Sequence, residues 1–227
     1  MCHMQYEGGG TLVMQRLEVR EGTFEFAFDV RNDSEEDAWL CESSEVSRSS
    51  QFEVFLDEDG QTLVIRRRLD VATNRTSYAR VEGRYVCLGA GEARREVVSL
   101  SLPVGPDVVF ADVPAGAGRQ ELARVVLEIG YYTEDLPGLA ESILSEAARY
   151  EASGDTLDGD ILSQYFGGFV VATEFGGLAG FEASNSDSDL SEEVVIPYTY
   201  QALKGERCAR IVVDGVAVPY EYGGPAY

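Results

Sequence analysis

The side chains best suited to chemistry are few and scattered. His3 is the single histidine in 227 residues. An imidazole is the usual proton carrier near neutral pH, so Ser-His-Asp and Cys-His nucleophilic sites are not expected. The four cysteines, Cys2, Cys41, Cys87 and Cys208, are too far apart for a CxxC redox pair or a zinc knuckle. Cys2 and His3 are adjacent, but two ligands are too few for a structural zinc site. Cys41, Cys87 and Cys208 lie in apolar, strand-like runs and read as buried thiols. A Cys41–Cys87 disulfide is the alternative in an exported protein, and sequence does not set its geometry.

Carboxylates are abundant instead. Asp and Glu number 40 against 18 Lys and Arg, a formal charge of −22. Paired carboxylates can cleave glycosides, but no pair stands out from the acidic background. Two loops concentrate oxygen ligands: Asp155, Asp158 and Asp160 in one, Asn185, Asp187 and Asp189 in the other. Calcium takes about six to eight oxygens, so both are candidate calcium sites, and no other cofactor is expected. The second loop has the alternate spacing that starts an EF-hand. Leu190 stands where that loop needs glycine, however, and Ile196 where it needs a bidentate glutamate. Gly116-Ala117-Gly118 begins like a dinucleotide loop but lacks the third glycine and precedes a strand pattern. Arg66-Arg67-Arg68 is expected to pair with neighbouring acidic strands rather than hold an anion.

Contact chemistry offers further candidates. Tyrosine combines area with a hydroxyl at small entropic cost; Tyr198, Tyr200, Tyr220 and Tyr222, read as lying on late strands, are candidate binding residues. Residues 161–181 carry one charge, Glu174, and repeat Phe166-Gly167-Gly168-Phe169 as Phe175-Gly176-Gly177-Leu178. The stretch is long enough to cross a bilayer, but Glu174 in mid-span and the paired glycines argue for a buried element or an apolar contact surface. No transmembrane span is expected. Met1-Cys2 admits two readings. In one, Cys2 carries a lipid after removal of a signal peptide and Gly8-Gly9-Gly10 belongs to a tether, which makes an envelope lipoprotein. In the other, Met1 begins a cytoplasmic chain with a flexible lead; residues 1–10 contain no apolar signal core.

The charge balance excludes one class of partner. Nucleic-acid affinity comes largely from Lys and Arg neutralising phosphates, so none is expected here. With 44% hydrophobic and 10% aromatic residues, the chain can build a core and is not a disordered acidic tail. Lys204 is the only lysine, so the cations are almost all arginines, the side chain best shaped for pairing with carboxylates. The acidic surplus is densest late: residues 134–227 hold 17 acids and 4 bases, whereas residues 1–133 hold 23 and 14.

The elements that must position these groups read first as strands. Phe24, Phe26, Phe28 and Val30 alternate with Glu25, Ala27 and Asp29, a period of two with one buried face. Thr11–Arg20 precedes them across a turn at Glu21-Gly22. Ala38–Cys41 begins another strand, with Trp39. Phe52–Leu56 and Thr62–Arg66 flank Asp57-Glu58-Asp59-Gly60, a hairpin signal. Tyr78–Val81 and Tyr85–Leu88 are short strands on either side of Glu82-Gly83. Gly89-Ala90-Gly91-Glu92 is a turn before the alternating Val98, Leu100 and Leu102. Val125, Leu127, Ile129 and Tyr131 form a strong strand. After it the period changes to helical, with Thr133 or Asp135 as cap, Pro137 in the first turn, and Leu136, Leu139, Ile143, Leu144, Ala147 and Tyr150 on one face. A second short helix is expected from Ile161 to Phe166. Val194–Tyr198 and a hairpin, Arg207–Val213 with Val216–Tyr220 about Asp214-Gly215, bring strands back.

Phe26–Ser34, ending in Asn32-Asp33-Ser34, and Leu88-Gly89-Ala90-Gly91-Glu92 leading into Val97–Leu102 resemble bacterial immunoglobulin-like domains. The resemblance covers residues 11–133, and the antibody-type disulfide is missing from it. It implies a mainly β, immunoglobulin-like antiparallel β-sandwich whose role is binding or scaffolding rather than chemistry. The expected organisation is a flexible lead (1–10), a β-sandwich (11–133), a helical insertion with acidic loops (134–192), C-terminal strands that complete the sheet (193–221) and a tail (222–227). The expected function is a non-enzymatic module acting on a protein partner. A tethered envelope lipoprotein and a carbohydrate-active protein using paired carboxylates are the alternatives.

Overall fold

A computed structural model describes residues 3–5, 10–44, 52–57, 59–69, 82–105, 119–153, 193–197 and 200–221. The described chain is mainly β. One antiparallel sheet holds four strands in the order β1 (His3–Gln5), β2 (Gly10–Arg20), β3 (Thr23–Asn32), β8 (Ala93–Ser101). The other holds seven: β4 (Ala38–Ser44), β5 (Glu53–Leu56), β6 (Thr62–Arg67), β7 (Glu82–Leu88), β9 (Arg119–Tyr132), β10 (Glu193–Pro197) and β11 (Arg207–Glu221). Its spatial order is β10-β7-β4-β9-β6-β5, with β11 also on β9.

Alternation decides what is buried. Phe24, Phe26, Phe28 and Val30 of β3 point inward with Leu12 of β2 and Val98 of β8. From the second sheet Leu40, Val54, Leu63, Ile65, Val125, Leu127, Ile129 and Ile211 meet them, so the two sheets share one core. Phe26, Phe28 and Phe52 stack edge to face through it, with ring centroids 5.9 and 6.5 Å apart. The turn at Gly22 and the β5–β6 hairpin at Gly60 lie where the sequence places them, and the turn at Gly91 joins β7 to β8.

The long strand β9 organises the second sheet. A strand has two edges. β11 pairs antiparallel with β9 from Arg119 to Tyr131. Parallel β6 pairs with residues 124–129, and β4 then pairs with Tyr131 and Tyr132. β6 and β4 therefore share the other edge, and the sheet forks at Gly130. On the β4 side a helical layer covers the outer face. Leu136, Ala140 and Ile143 of α1 (Leu136–Ser153) and Ala202 of α2 (Tyr200–Gly205) pack on Trp39, Cys41, Tyr85 and Ile196. Asp135 caps α1 by accepting the Gly138 N–H at 3.2 Å.

Three local expectations need correcting. Asp214-Gly215 does not turn a hairpin. Residues 207–221 form a single strand along β9, and Asp214–Val218 is a bulge with Gly215 at φ 73°. Both halves of that run match the same long neighbour, so continuing along it satisfies more backbone than folding back. Glu82-Gly83 begins β7, where β10 pairs with both residues and β4 with Gly83, while the strand expected at Tyr78–Val81 lies outside the described residues. Tyr200 opens α2 and does not lie on a strand.

Candidate functional site

The three consecutive arginines show how this fold uses charge. Alternation sends Arg67 inward with Leu63 and Ile65, and Arg66 outward with Val64. Arg66 lies opposite Glu53 in the β5–β6 register, 3.7 Å from it, and over the Phe55 ring. Arg67 is fully buried. It faces both oxygens of Glu96 at 2.8 and 2.9 Å, with its guanidinium 4.7 Å from the centre of the Phe52 ring. Arg68, beyond the strand, reaches Glu206 at 3.3 Å. Every member of the run faces a carboxylate, as its acidic neighbours predict.

The Arg67–Glu96 pair joins β6 of one sheet to β8 of the other. Arg94, also on β8, extends it: its Nη2 donates to Glu42 at 2.6 and 2.8 Å, and its Nε lies 3.4 Å from Glu96. Glu42 is the extra residue of a bulge in β4, where Cys41 pairs with Tyr85 and Ser43 with Arg84. The bulge re-aims it toward the opposite sheet. This border of the core is therefore closed by a row of arginine–glutamate ion pairs.

A second buried cluster fills the fork in the sheet. Glu206, between α2 and β11, accepts the Leu69 N–H at 2.7 Å and the Tyr85 hydroxyl at 2.6 Å on one oxygen, and Arg68 on the other. A side chain on Gly130 would collide with this carboxylate and lie 2.7 Å from the Arg68 Cβ, so the fork needs glycine there. Tyr132 donates to the Ala202 carbonyl at 2.8 Å and stacks edge to face on Tyr85. Burial is the main cause holding the hydroxyls of Tyr85 and Tyr132 and the thiol of Cys41 well above their usual titration ranges. Burial likewise pushes Cys208 up to about 11. These thiols and phenols are kept protonated, the opposite of an activated nucleophile.

Asn32 ties the two turns that carry the immunoglobulin-like resemblance. Its Nδ2 donates to the carbonyls of Glu36, Leu88 and Gly89 at 2.8–3.2 Å, and its Oδ1 accepts from Ser34 N–H and Oγ. Its backbone also bonds Glu92 and Gly91. Between the sheets beside it, Leu12, Val30, Ala38, Leu40 and Leu88 help line a cavity of about 20 Å³. That holds a single water-sized sphere, far below the several hundred cubic ångströms of a ligand pocket.

The remaining feature is an edge. β8 pairs with β3 alone among the described strands. Its outward residues alternate Ala93, Arg95, Val97, Ser99 and Ser101, and Val97 is 52% exposed. Arg95 donates to Asp29 at 2.8 Å, and this hydrogen bond is the largest cause keeping Asp29 below the usual carboxylate range.

The candidate sites read from the sequence fall differently. Asp155, Asp158, Asp160, Asn185, Asp187, Asp189, Tyr198, Tyr222, Cys2 and residues 161–181 lie outside the described residues, as does the helix expected from Ile161. Tyr220 is in the shared core at 1% exposure. Inward alternation on β11 puts it there, so it presents no contact surface. Among the described residues, no group of three or more His, Cys, Asp or Glu is placed to hold a metal ion. No described helix is long and apolar enough to cross a membrane. No disulfide joins the described cysteines. Cys41 pairs with Tyr85 and Cys87 with Trp39, so the two cysteines are diagonal, about 7–8 Å apart and beyond disulfide reach. Sequence reasoning did not single out Glu206, Glu96 or Val97, and it used Asn32 only as part of the Asn32-Asp33-Ser34 turn. The only signals were a carboxylate at a helix end, one facing inward by alternation, and a valine on the wet phase of a strand. No family model, curated protein or solved structure matches the chain.

Proposed function

We propose that this protein is a non-enzymatic binding or scaffolding module that works through protein contacts, on an immunoglobulin-like frame. The observation that carries the reading is the β8 edge: nine residues of strand with a single neighbour among the described strands and an exposed valine at its centre. An unpaired row of N–H and C=O groups is a template for another chain. The frame is supported by two sheets around one core and by Asn32, which brings together the turns on which the resemblance rests. Among the described residues, three carboxylates, Glu53, Glu96 and Glu206, each face an arginine.

Site-specific photo-crosslinking in the source cells tests the reading. A crosslinker replacing Val97 is expected to give a discrete protein adduct, and the same group at exposed Glu121 is expected to give none. Equal, diffuse labelling from both positions would remove the contact role of β8.

A further inference from the structure

Sheet edges in stable proteins are normally obstructed, and the other edges here follow that rule. β1, β5 and β10 have only three, four and five residues, and β10 ends in Pro197. β11 is long, but it is bent by the bulge at Asp214–Val218 and carries Pro219. Short length, bulges and proline are standard obstacles to strand addition. β8 has none of them. Its nine residues run against β3 without a register shift and without proline. Charges pointing inward can also block an edge, but Arg94 and Glu96 are already neutralised by Glu42 and Arg67, and outward Arg95 by Asp29.

We propose that the occupant of this edge is a second copy of the chain, paired antiparallel through β8 about a twofold axis at Val97. The proposal rests on the contact role assigned to β8 above and names its partner. Val97 is the midpoint of Ala93–Ser101, so centring the axis there pairs the whole strand with itself. Val97 then meets Val97 of the second copy, Arg95 meets Ser99, Ala93 meets Ser101, Glu96 meets Val98 and Arg94 meets Leu100. No like charges oppose one another in this register, as cross-strand pairing requires. Centring on Glu96 would oppose two carboxylates, and centring on Arg95 two guanidiniums. Charge therefore excludes axes at Arg95 and Glu96, and of the registers that remain the one centred on Val97 pairs the full length of the strand and buries the exposed valine. The contact is isologous and closes on itself, joining two four-stranded sheets into one. With −22 on each copy, long-range repulsion opposes the dimer, so salt should strengthen it.

Val97→Cys tests the geometry directly. Directly opposed residues have Cβ atoms about 4.5–5.5 Å apart, close to disulfide reach. Oxidised V97C, with an unchanged circular dichroism spectrum, is expected to form a disulfide dimer. S99C should not, because the two Ser99 side chains lie four residues, roughly 13 Å, apart in this register. Analytical ultracentrifugation of the full chain should show a dimer that grows with concentration and with sodium chloride, and that V97D shifts at least tenfold toward monomer. A wild-type chain that stays monomeric at all salt concentrations, or crosslinking of S99C as efficient as that of V97C, would overturn the proposal. If the chain is monomeric but residue 97 still captures one discrete protein in cells, self-pairing fails and the contact role stands with another occupant. If it is monomeric and captures nothing, both fail.

Discussion

Glu206 shows how much can depend on one side chain. It is buried where β6 and β4 part from β9, and it binds a backbone N–H, a phenol and a guanidinium. Replacing it by leucine would strand three polar groups in a dry site. Losing one partner of a buried, hydrogen-bonded charge costs about 3–5 kcal/mol, so E206L should lower unfolding free energy by that order in urea titrations. E206Q, which keeps the shape, should lose clearly less. Equal stability of E206L and wild type would show that the fork is held by packing alone. Little of this was legible in the sequence. Glu206 and Tyr85 are 121 residues apart, and nothing local marks one glutamate among so many acids as buried. Gly130 was equally silent: its neighbours Ile129 and Tyr131 fit the strand pattern, and only the approach of Glu206 and Arg68 explains the missing side chain.

At the scale of elements, the contacts between sheets divide into an apolar interior and an ionic border. Arg67–Glu96 is the inner pair of that border, with both side chains buried. A buried ion pair contributes little over well-packed apolar residues, yet removing one partner is costly. R67M and E96L singly should each destabilise by about 3–5 kcal/mol, while R67M/E96L should recover most of that loss. A double-mutant cycle by chemical denaturation reads the coupling; simple additivity would mean that the pair does not join the sheets. The period-two strands and the helical period of α1 were readable, because each is written in residues a few positions apart. β11 was misread for the complementary reason. Asp-Gly is a turn signal when the chain must reverse, but beside a 14-residue β9 the same dipeptide lets one strand bulge and continue.

The whole molecule is governed by its charge. Ion pairs such as Arg95–Asp29 and Arg124–Asp214 sit on its surface, where solvent screening leaves each a small contribution, and a net −22 remains unbalanced. Raising sodium chloride from about 0.05 to about 1 M shortens the screening length several-fold. It should therefore raise the calorimetric Tm, because relief of self-repulsion outweighs weakened surface pairs. A falling Tm would give the pairs the larger share. The sequence by itself determined the mainly β character, the inward faces of β3 and β9, the turns at Gly22, Gly60 and Gly91, a start for α1 capped by Thr133 or Asp135, and the use of arginine opposite carboxylates. Each depends on alternation, on a local backbone requirement or on composition. Only the tertiary structure decided which carboxylate each arginine meets, where the second sheet forks, that Tyr220 faces inward, and that β8 has β3 as its single neighbour among the described strands. These depend on which strands become neighbours across tens of residues, and a local pattern does not carry that choice.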